Sequence, residues 1–332
     1  MKLALLGAGR IGQVHAASIH RSPRAELHVV VDLNQDAARA LAERHGAQVA
    51  TDIDAVLADP ALDGVLICTS TDTHVDLILQ ATRRGLPVFC EKPIDLDLAR
   101  VDACLAEVDR GKAPLFLGFN RRFDPHFRAL REAIRRGEIG DVEIVKLTSR
   151  DPAPPPLAYI RGSGGLFRDM MIHDLDMARF LLGEEPVEVF ATGGCLVDPA
   201  IGEAGDIDTA MVILRTGRGA LCHIDNSRRA AYGYDQRVEV FGSLGMLHAG
   251  NPTPTTVTRF TREAVTSDKP FHFFLERYAD AYRAELDHFL DIIEGKAQPE
   301  VTGRDGREAL ALADAAARSL KLGQPVKMPA AS

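Results

Sequence analysis

The chain has 332 residues, 46% of them hydrophobic and 26% charged, and carries a formal net charge of −8. That length suits two domains with a core each, and the composition excludes a disordered chain. No long run of one charge sign occurs, which excludes nucleic acid as the main partner, because such a surface needs a basic stripe.

The first third alternates strand and helix patterns. Residues 2–7 (KLALLG) read as a short apolar strand, and a helix follows from about Ile11 to His20. Residues 26–32 (ELHVVVD), rich in β-branched valine, read as a second strand. The next helix takes Asn34 as its N-cap and has Gly46 just past its end. Residues 64–69 form another buried strand, after which Thr71 or Thr73 caps a helix that stops at Gly85. Residues 87–90 and 114–119 are strands on either side of a helix over about 97–110. Such alternation predicts parallel pairing through right-handed crossovers, with helices covering both faces of a doubly wound sheet.

The pattern changes after about residue 120. A helix runs roughly from Pro125 to Arg136, then long alternating stretches appear at 142–149, 187–197, 208–215, 219–227, 236–241 and 256–262. Thr216-Gly217-Arg218-Gly219 reads as a hairpin turn, and Asp151 to Pro156 as a stiff loop flanked by strands. Helices over about 275–294 and 303–322 close the chain. The expected architecture is an α/β domain over 1–120 followed by an α+β domain over 121–332, built on a largely antiparallel open sheet. No stretch approaches the length of a membrane helix, and the apolar run ending at Gly7 is too short for a signal sequence. The cysteines, Cys68, Cys90, Cys104, Cys195 and Cys222, are odd in number and show no C-x-x-C spacing. Free thiols in a reducing, cytoplasmic setting are therefore expected, with no disulfide framework and no structural zinc.

Gly7-Ala8-Gly9-Arg10-Ile11-Gly12 is a G-x-G-x-x-G hexapeptide that follows one strand and opens one helix. Asp32 ends the next strand, 20 residues beyond Gly12. This is the Rossmann dinucleotide fingerprint: one glycine for the turn, one for approach of the pyrophosphate, one for helix–strand packing. The helix N-terminus offers free N–H groups and its positive dipole end to phosphate. A carboxylate at Asp32 suits the ribose hydroxyls and opposes a 2′-phosphate. Leu33 and Asn34 offer no arginine to offset it, so NAD is expected over NADP.

Strand 87–90 leads into Cys90-Glu91-Lys92-Pro93, which places Lys92 at a strand's carboxyl end, where ligands of parallel sheets sit. A lysine there can stabilise negative charge developing on a reacting oxygen. A turn that redirects it into the crevice predicts a cis Lys92–Pro93 bond. Further on, Asp169 and His173 stand four apart, and His173 and Asp176 three apart, in an expected helix. A histidine held between carboxylates suits a base that removes a hydroxyl proton. The same spacing also fits a helix cap beside a solvated histidine, or a metal site.

Together these segments resemble the glucose–fructose oxidoreductase / inositol dehydrogenase superfamily, and within it the bacterial inositol 2-dehydrogenases. GAGRIG, CEKP at 90–93, GFNRRFDPHF at 118–127, GGLFRDMMIHDLDMARFLLG at 164–183 and YGYDQRVEVFGSLG at 232–245 occur in that family's order. The resemblance implies a catalytic Lys92, Asp169 and His173. It implies substrate contacts from Lys92, Arg121, Asp151, Asp169, His173, Asp176 and Tyr234. It implies NAD contacts from Gly7, Gly9, Arg10, Ile11, Gly12 and Asp32, and around Thr69, Ser70, His74, Glu91, Lys92 and Asn120, with no metal. A homotetramer joined through the open sheet is implied as well. Asp151 precedes Pro152 where some inositol dehydrogenases carry Asn. The expected reaction is NAD-dependent oxidation of a polyol ring hydroxyl, myo-inositol to the 2-keto inosose. Scyllo-inositol or aldose oxidation, and a non-catalytic NAD sensor, stand as alternatives, and the missing cysteine–histidine spacings disfavour a zinc alcohol dehydrogenase.

Overall fold

The structure is a computed structural model that describes residues 1–111 and 113–329. In chain order its first strands and helices are β1 (Lys2–Leu6), α1 (Arg10–Arg21), β2 (Glu26–Val31), α2 (Gln35–His45), β3 (Gln48–Ala50), α3 (Ile53–Leu57), β4 (Gly64–Ile67), α4 (His74–Arg83), β5 (Val88–Glu91), α5 (Leu98–Val108) and β6 (Leu115–Gly118). Then come α6 (Pro125–Arg135), β7 (Val142–Arg150), α7 (Leu157–Ser163), α8 (Gly165–Asp169), α9 (Ile172–Leu182), β8 (Pro186–Gly194), α10 (Pro199–Glu203), β9 (Thr209–Thr216) and β10 (Leu221–Ser227). The remainder comprises β11 (Asp235–Gly242), β12 (Gly245–Ala249), β13 (Thr258–Phe260), β14 (Val265–Ser267), α11 (Phe274–Arg277), α12 (Ala279–Ile293), α13 (Gly303–Leu322) and β15 (Val326–Lys327).

Two compact units result. The first joins Met1–Phe123 with Ala281–Leu310, and the second joins Asp124–Asp280 with the segment from Ala311 onward. The sequence expectation assigns everything after residue 120 to one domain. The structure instead returns residues 281–310 to the first unit, because the apolar stripe of α12 supplies part of that unit's core. Phe289 packs edge-on against Phe89 and stacks on Phe116, with centroids 5.7 and 6.3 Å apart. The Leu117 N–H donates to the Val301 carbonyl.

The sheet of the first unit runs β3-β2-β1-β4-β5-β6, all parallel, which is the Rossmann order. Its central strands are apolar without alternation because both faces are covered. Asn34 caps α2 through the Asp36 and Ala37 N–H groups, and Gly46 ends that helix at φ 72°. Thr73 precedes α4 without a side-chain cap; residues 71–73 form a 3₁₀ turn instead. The pattern reading passes over β3 and α3, each too short to show a period.

The second unit carries the sheet β12-β11-β7-β10-β9-β8-β15, antiparallel except for the β7–β10 pair. Val189, Ala191, Val212, Leu214, Val238 and Val240 are buried on one face. Met211, Ile213, Leu221, Phe241 and Met246 are exposed, and by alternation with the buried set they occupy the other face. Two local expectations change. The loop after Asp151 leads into helix α7 and not into a strand, and the expected helix over 275–294 divides at Tyr278 into α11 and α12. No described helix is long and apolar enough to cross a membrane, and the five cysteines are free.

Candidate functional site

In the first unit the three fingerprint glycines are distinguished by what a Cβ would meet. At Gly7, whose φ is +103°, a Cβ would lie 2.4 Å from the Cys68 carbonyl oxygen. At Gly12 it would lie 2.0 Å from the Gly7 oxygen, so α1 can seat on the turn only without a side chain. At Gly9 a Cβ would meet nothing within 4 Å among the described residues beyond its chain neighbours. That open cradle, ahead of a helix N-terminus that no side chain among the described residues caps, fits a pyrophosphate. Arg10 and Ile11 open the same helix. Asp32 braces the loop: one carboxylate oxygen accepts the Ala8 N–H at 2.6 Å, and the other the Asn34 N–H at 2.7 Å.

The carboxyl ends of β4 and β5 gather the next group. The Thr69 hydroxyl lies 2.6 Å from that of Thr73, and exposed Ser70 opens the same turn. His74 is buried, with its ring nitrogens 2.8 Å from the Pro93 carbonyl oxygen and 3.1 Å from that of Thr69. Burial pushes its pKa down, against those two hydrogen bonds. His74 thus ties the turn after β4 to the turn carrying Lys92, where the Lys92–Pro93 bond is cis as expected. Buried Asn120 and Arg121 follow β6, and the Asn120 amide nitrogen meets no hydrogen-bond partner among the described residues. An orphaned donor at the end of a parallel strand again fits a polar ligand.

Glu91 is buried beneath this edge and lies 2.7 Å from His15 Nε2 on α1. Glu285 of α12 completes a cluster whose polar atoms fall within 4.8 Å of one another, and neither of its oxygens finds a hydrogen bond among the described residues. Burial, then the charge of Glu91, pushes the Glu285 carboxyl well above its ordinary range. A shared metal would hold its ligands roughly 3.3 Å apart at bond lengths near 2 Å, so the His15–Glu91 contact is a hydrogen bond and not a coordination edge.

In the second unit, Asp169 ends α8 and His173 lies in the first turn of α9, with Met170 and Met171 between the two helices. The expected single helix is therefore broken. Left-handed Gly164 and Gly165 start α8 abruptly, and the Met170 and Met171 N–H groups both turn back to the Leu166 carbonyl. Asp169 accepts a hydrogen bond from the Tyr159 hydroxyl at 2.9 Å and lies 3.5 Å from Arg228. His173 and Asp176 do share α9, and buried Asp176 stands 3.6 Å from Arg179. Asp151 donates its N–H to Ser227, which joins the ends of β7 and β10. Tyr234 is buried edge-on against Phe273 and Tyr278. Asp235 holds its motif in place by accepting from Tyr232, Arg237 and Asn251.

Residues 1–119 match the oxidoreductase family with an NAD-binding Rossmann fold, GFO/IDH/MocA, and residues 127–248 match the GFO/IDH/MocA C-terminal domain. The chain belongs to the GFO/IDH/MocA family. An inositol 2-dehydrogenase of Rhizobium meliloti is 54% identical over 96% of this chain and 97% of its own. A crystal structure of a myo-inositol dehydrogenase from Corynebacterium glutamicum is 48% identical, with TM-score 0.95 over 100% of this chain and 99% of that one. A scyllo-inositol dehydrogenase of Lactobacillus casei, solved with NAD(H) and scyllo-inositol, is 28% identical, with TM-score 0.91 over 98% of each chain. This member of the family is an NAD-dependent oxidoreductase acting on CH–OH groups. His15, Glu285, Asp206 and Arg228 escape sequence reading. His15 and Glu285 do leave a trace as polar residues on the apolar stripes of α1 and α12, whereas Arg228 leaves none.

Proposed function

We propose that the protein oxidises myo-inositol at a ring hydroxyl to the 2-keto inosose. The observation that carries this reading is the open cradle at Gly9 on a chain that matches inositol 2-dehydrogenases over nearly its whole length. When bound, NAD supplies the nicotinamide carbon that accepts the hydride. Gly7, Gly9, Arg10, Ile11, Gly12 and Asp32 would hold the dinucleotide, together with Thr69, Ser70, His74, Glu91, Lys92 and Asn120. His173, oriented by Asp169, takes the hydroxyl proton, and Lys92 steadies the oxygen as charge develops there. Arg121, Asp151, Asp176 and Tyr234 read the remaining hydroxyls; a site of such donors and acceptors rejects analogues that leave a buried group unpaired. The active form is a homotetramer.

The test is steady-state kinetics with NAD on myo-inositol, scyllo-inositol and an aldose panel. Myo-inositol is expected to show the highest kcat/KM, and a higher value for an aldose overturns the assignment. His173→Ala and Lys92→Ala are each expected to lower kcat by about 10²–10⁴ with NAD affinity little changed. Turnover that survives His173→Ala on every substrate removes the base, whereas a wild type that turns over no substrate favours a sensor.

A further inference from the structure

Arg228 follows β10, and its side chain is 1% exposed. A guanidinium stays charged even here. Its Nη2 lies 3.5 Å from Asp169 Oδ2 and 3.7 Å from Asp206 Oδ2, so one buried cation serves two carboxylates. Asp206 is tied to the same short helix as Asp169. Its Oδ1 accepts the Leu166 N–H at 3.0 Å, one residue into α8, and Asp169 ends that helix. Gly165 leaves the room, since a Cβ there would lie 2.7 Å from Asp206 Oδ1. The Arg228 N–H donates to the Asp208 carbonyl, and the Asp208 carboxylate collects the Leu196, Val197 and Asp198 N–H groups. The cation and its second anion thus start from one pinned stretch of backbone.

A buried ionic triad adds little stability over apolar packing of the same volume. Its more telling effect is on charge. Around Asp169 stand Arg228 and the Tyr159 hydroxyl, and across the guanidinium stands Asp206. We propose that Arg228 is a positioning residue: its charge, divided between Asp169 and Asp206, sets how strongly Asp169 pulls on His173. The proposal rests on His173 being the base and Asp169 its partner.

The consequence has a sign in each direction. Removing the cation leaves Asp169 uncompensated, which favours the imidazolium and raises the pH at which the base becomes available. Removing the competing carboxylate gives Asp169 the whole of Arg228, which does the opposite. The acidic limb of the kcat/KM–pH profile is therefore expected to move up by ~0.5–1 unit in Arg228→Gln and down by a similar amount in Asp206→Asn, which keeps the acceptor for Leu166. Arg228→Lys retains the charge and is expected to leave the limb in place. Thermal melts and NAD titration accompany each profile. If Arg228→Gln fails to fold, Asp206→Asn and Arg228→Lys carry the test. A limb that stays put in Asp206→Asn, or moves the same way in both charge-removing variants, overturns the role of Arg228. His173→Ala separates the two levels. Near-normal turnover there overturns the base assignment and this proposal together, whereas collapsed turnover beside unmoved limbs overturns only Arg228.

Discussion

At the scale of single residues, Asp32 carries more than the choice of cofactor. Its spacing from the glycines made it visible in the sequence, and the structure adds that it clasps the Ala8 and Asn34 N–H groups. NAD is expected to exceed NADP in kcat/KM by at least about tenfold, equivalent to ~1.4 kcal/mol. Asp32→Ser is expected to narrow that ratio and also to weaken NAD itself, because the clasp on the loop goes with the charge. Paired titrations with both cofactors check this, and a variant that gains NADP without losing NAD shows the clasp to be idle. Asp169 shows the limit of such reading. Its spacing from His173 reads as one continuous helix, and no local rule announced the break at Met170 and Met171. Arg228 was illegible for a different reason: its partners lie 59 and 22 positions away, and nothing periodic marks them.

At the scale of elements, the fingerprint turn separates folding from binding within six residues. Gly12→Ala drives a methyl into the Gly7 carbonyl and is expected to cost the fold, whereas Gly9→Ala points a methyl into open space. Gly9→Ala is therefore expected to keep the melting temperature of the free protein and lose NAD affinity by tenfold or more, about 1.4 kcal/mol. Equal melting temperatures for the two variants refute the distinction. Helix α12 makes the second case. Glu285 keeps a proton in the folded state well above the range in which the unfolded chain releases it, about pH 4.3. Stability is therefore lost as pH rises through that window toward the raised value. Glu285→Gln has no proton to lose there, so its melting temperature relative to wild type is expected to climb from near parity at about pH 4.5 to a clear gain at pH 8. A difference independent of pH shows that Glu285 remains ionised. The first unit's central strands were legible as continuous apolar runs, and the second unit's strands and the long helices by their apolar period. Short pieces such as β3, α3 and α10 were not, since each has too few residues for a period and no continuous apolar run.

At the scale of the whole molecule, the second unit's sheet has one face in its core and one outside it. On the outer face Phe190, Ile213 and His223 sit abreast on neighbouring strands, with Lys146 and Glu239 continuing the row. An outer face of this kind, with exposed Met211, Ile213, Phe241 and Met246, suits burial against another copy. Light scattering at micromolar concentration is expected to give a tetramer, and Ile213→Asp to lower the mass. A monomeric wild type refutes the assembly. The order of elements thus followed from the sequence, but the grouping did not, because a helix pattern shows which face is apolar and not which core it enters. That grouping bears on synthesis. A ribosome releases residues 1–123 long before it makes residues 281–310, which carry Phe289 against Phe89 and Phe116 and the Val301 carbonyl for Leu117. The nascent nucleotide-binding half therefore waits, with an aromatic surface uncovered, until residues 281–310 have emerged. A chain terminated before residue 281 leaves that surface to chaperones or to aggregation.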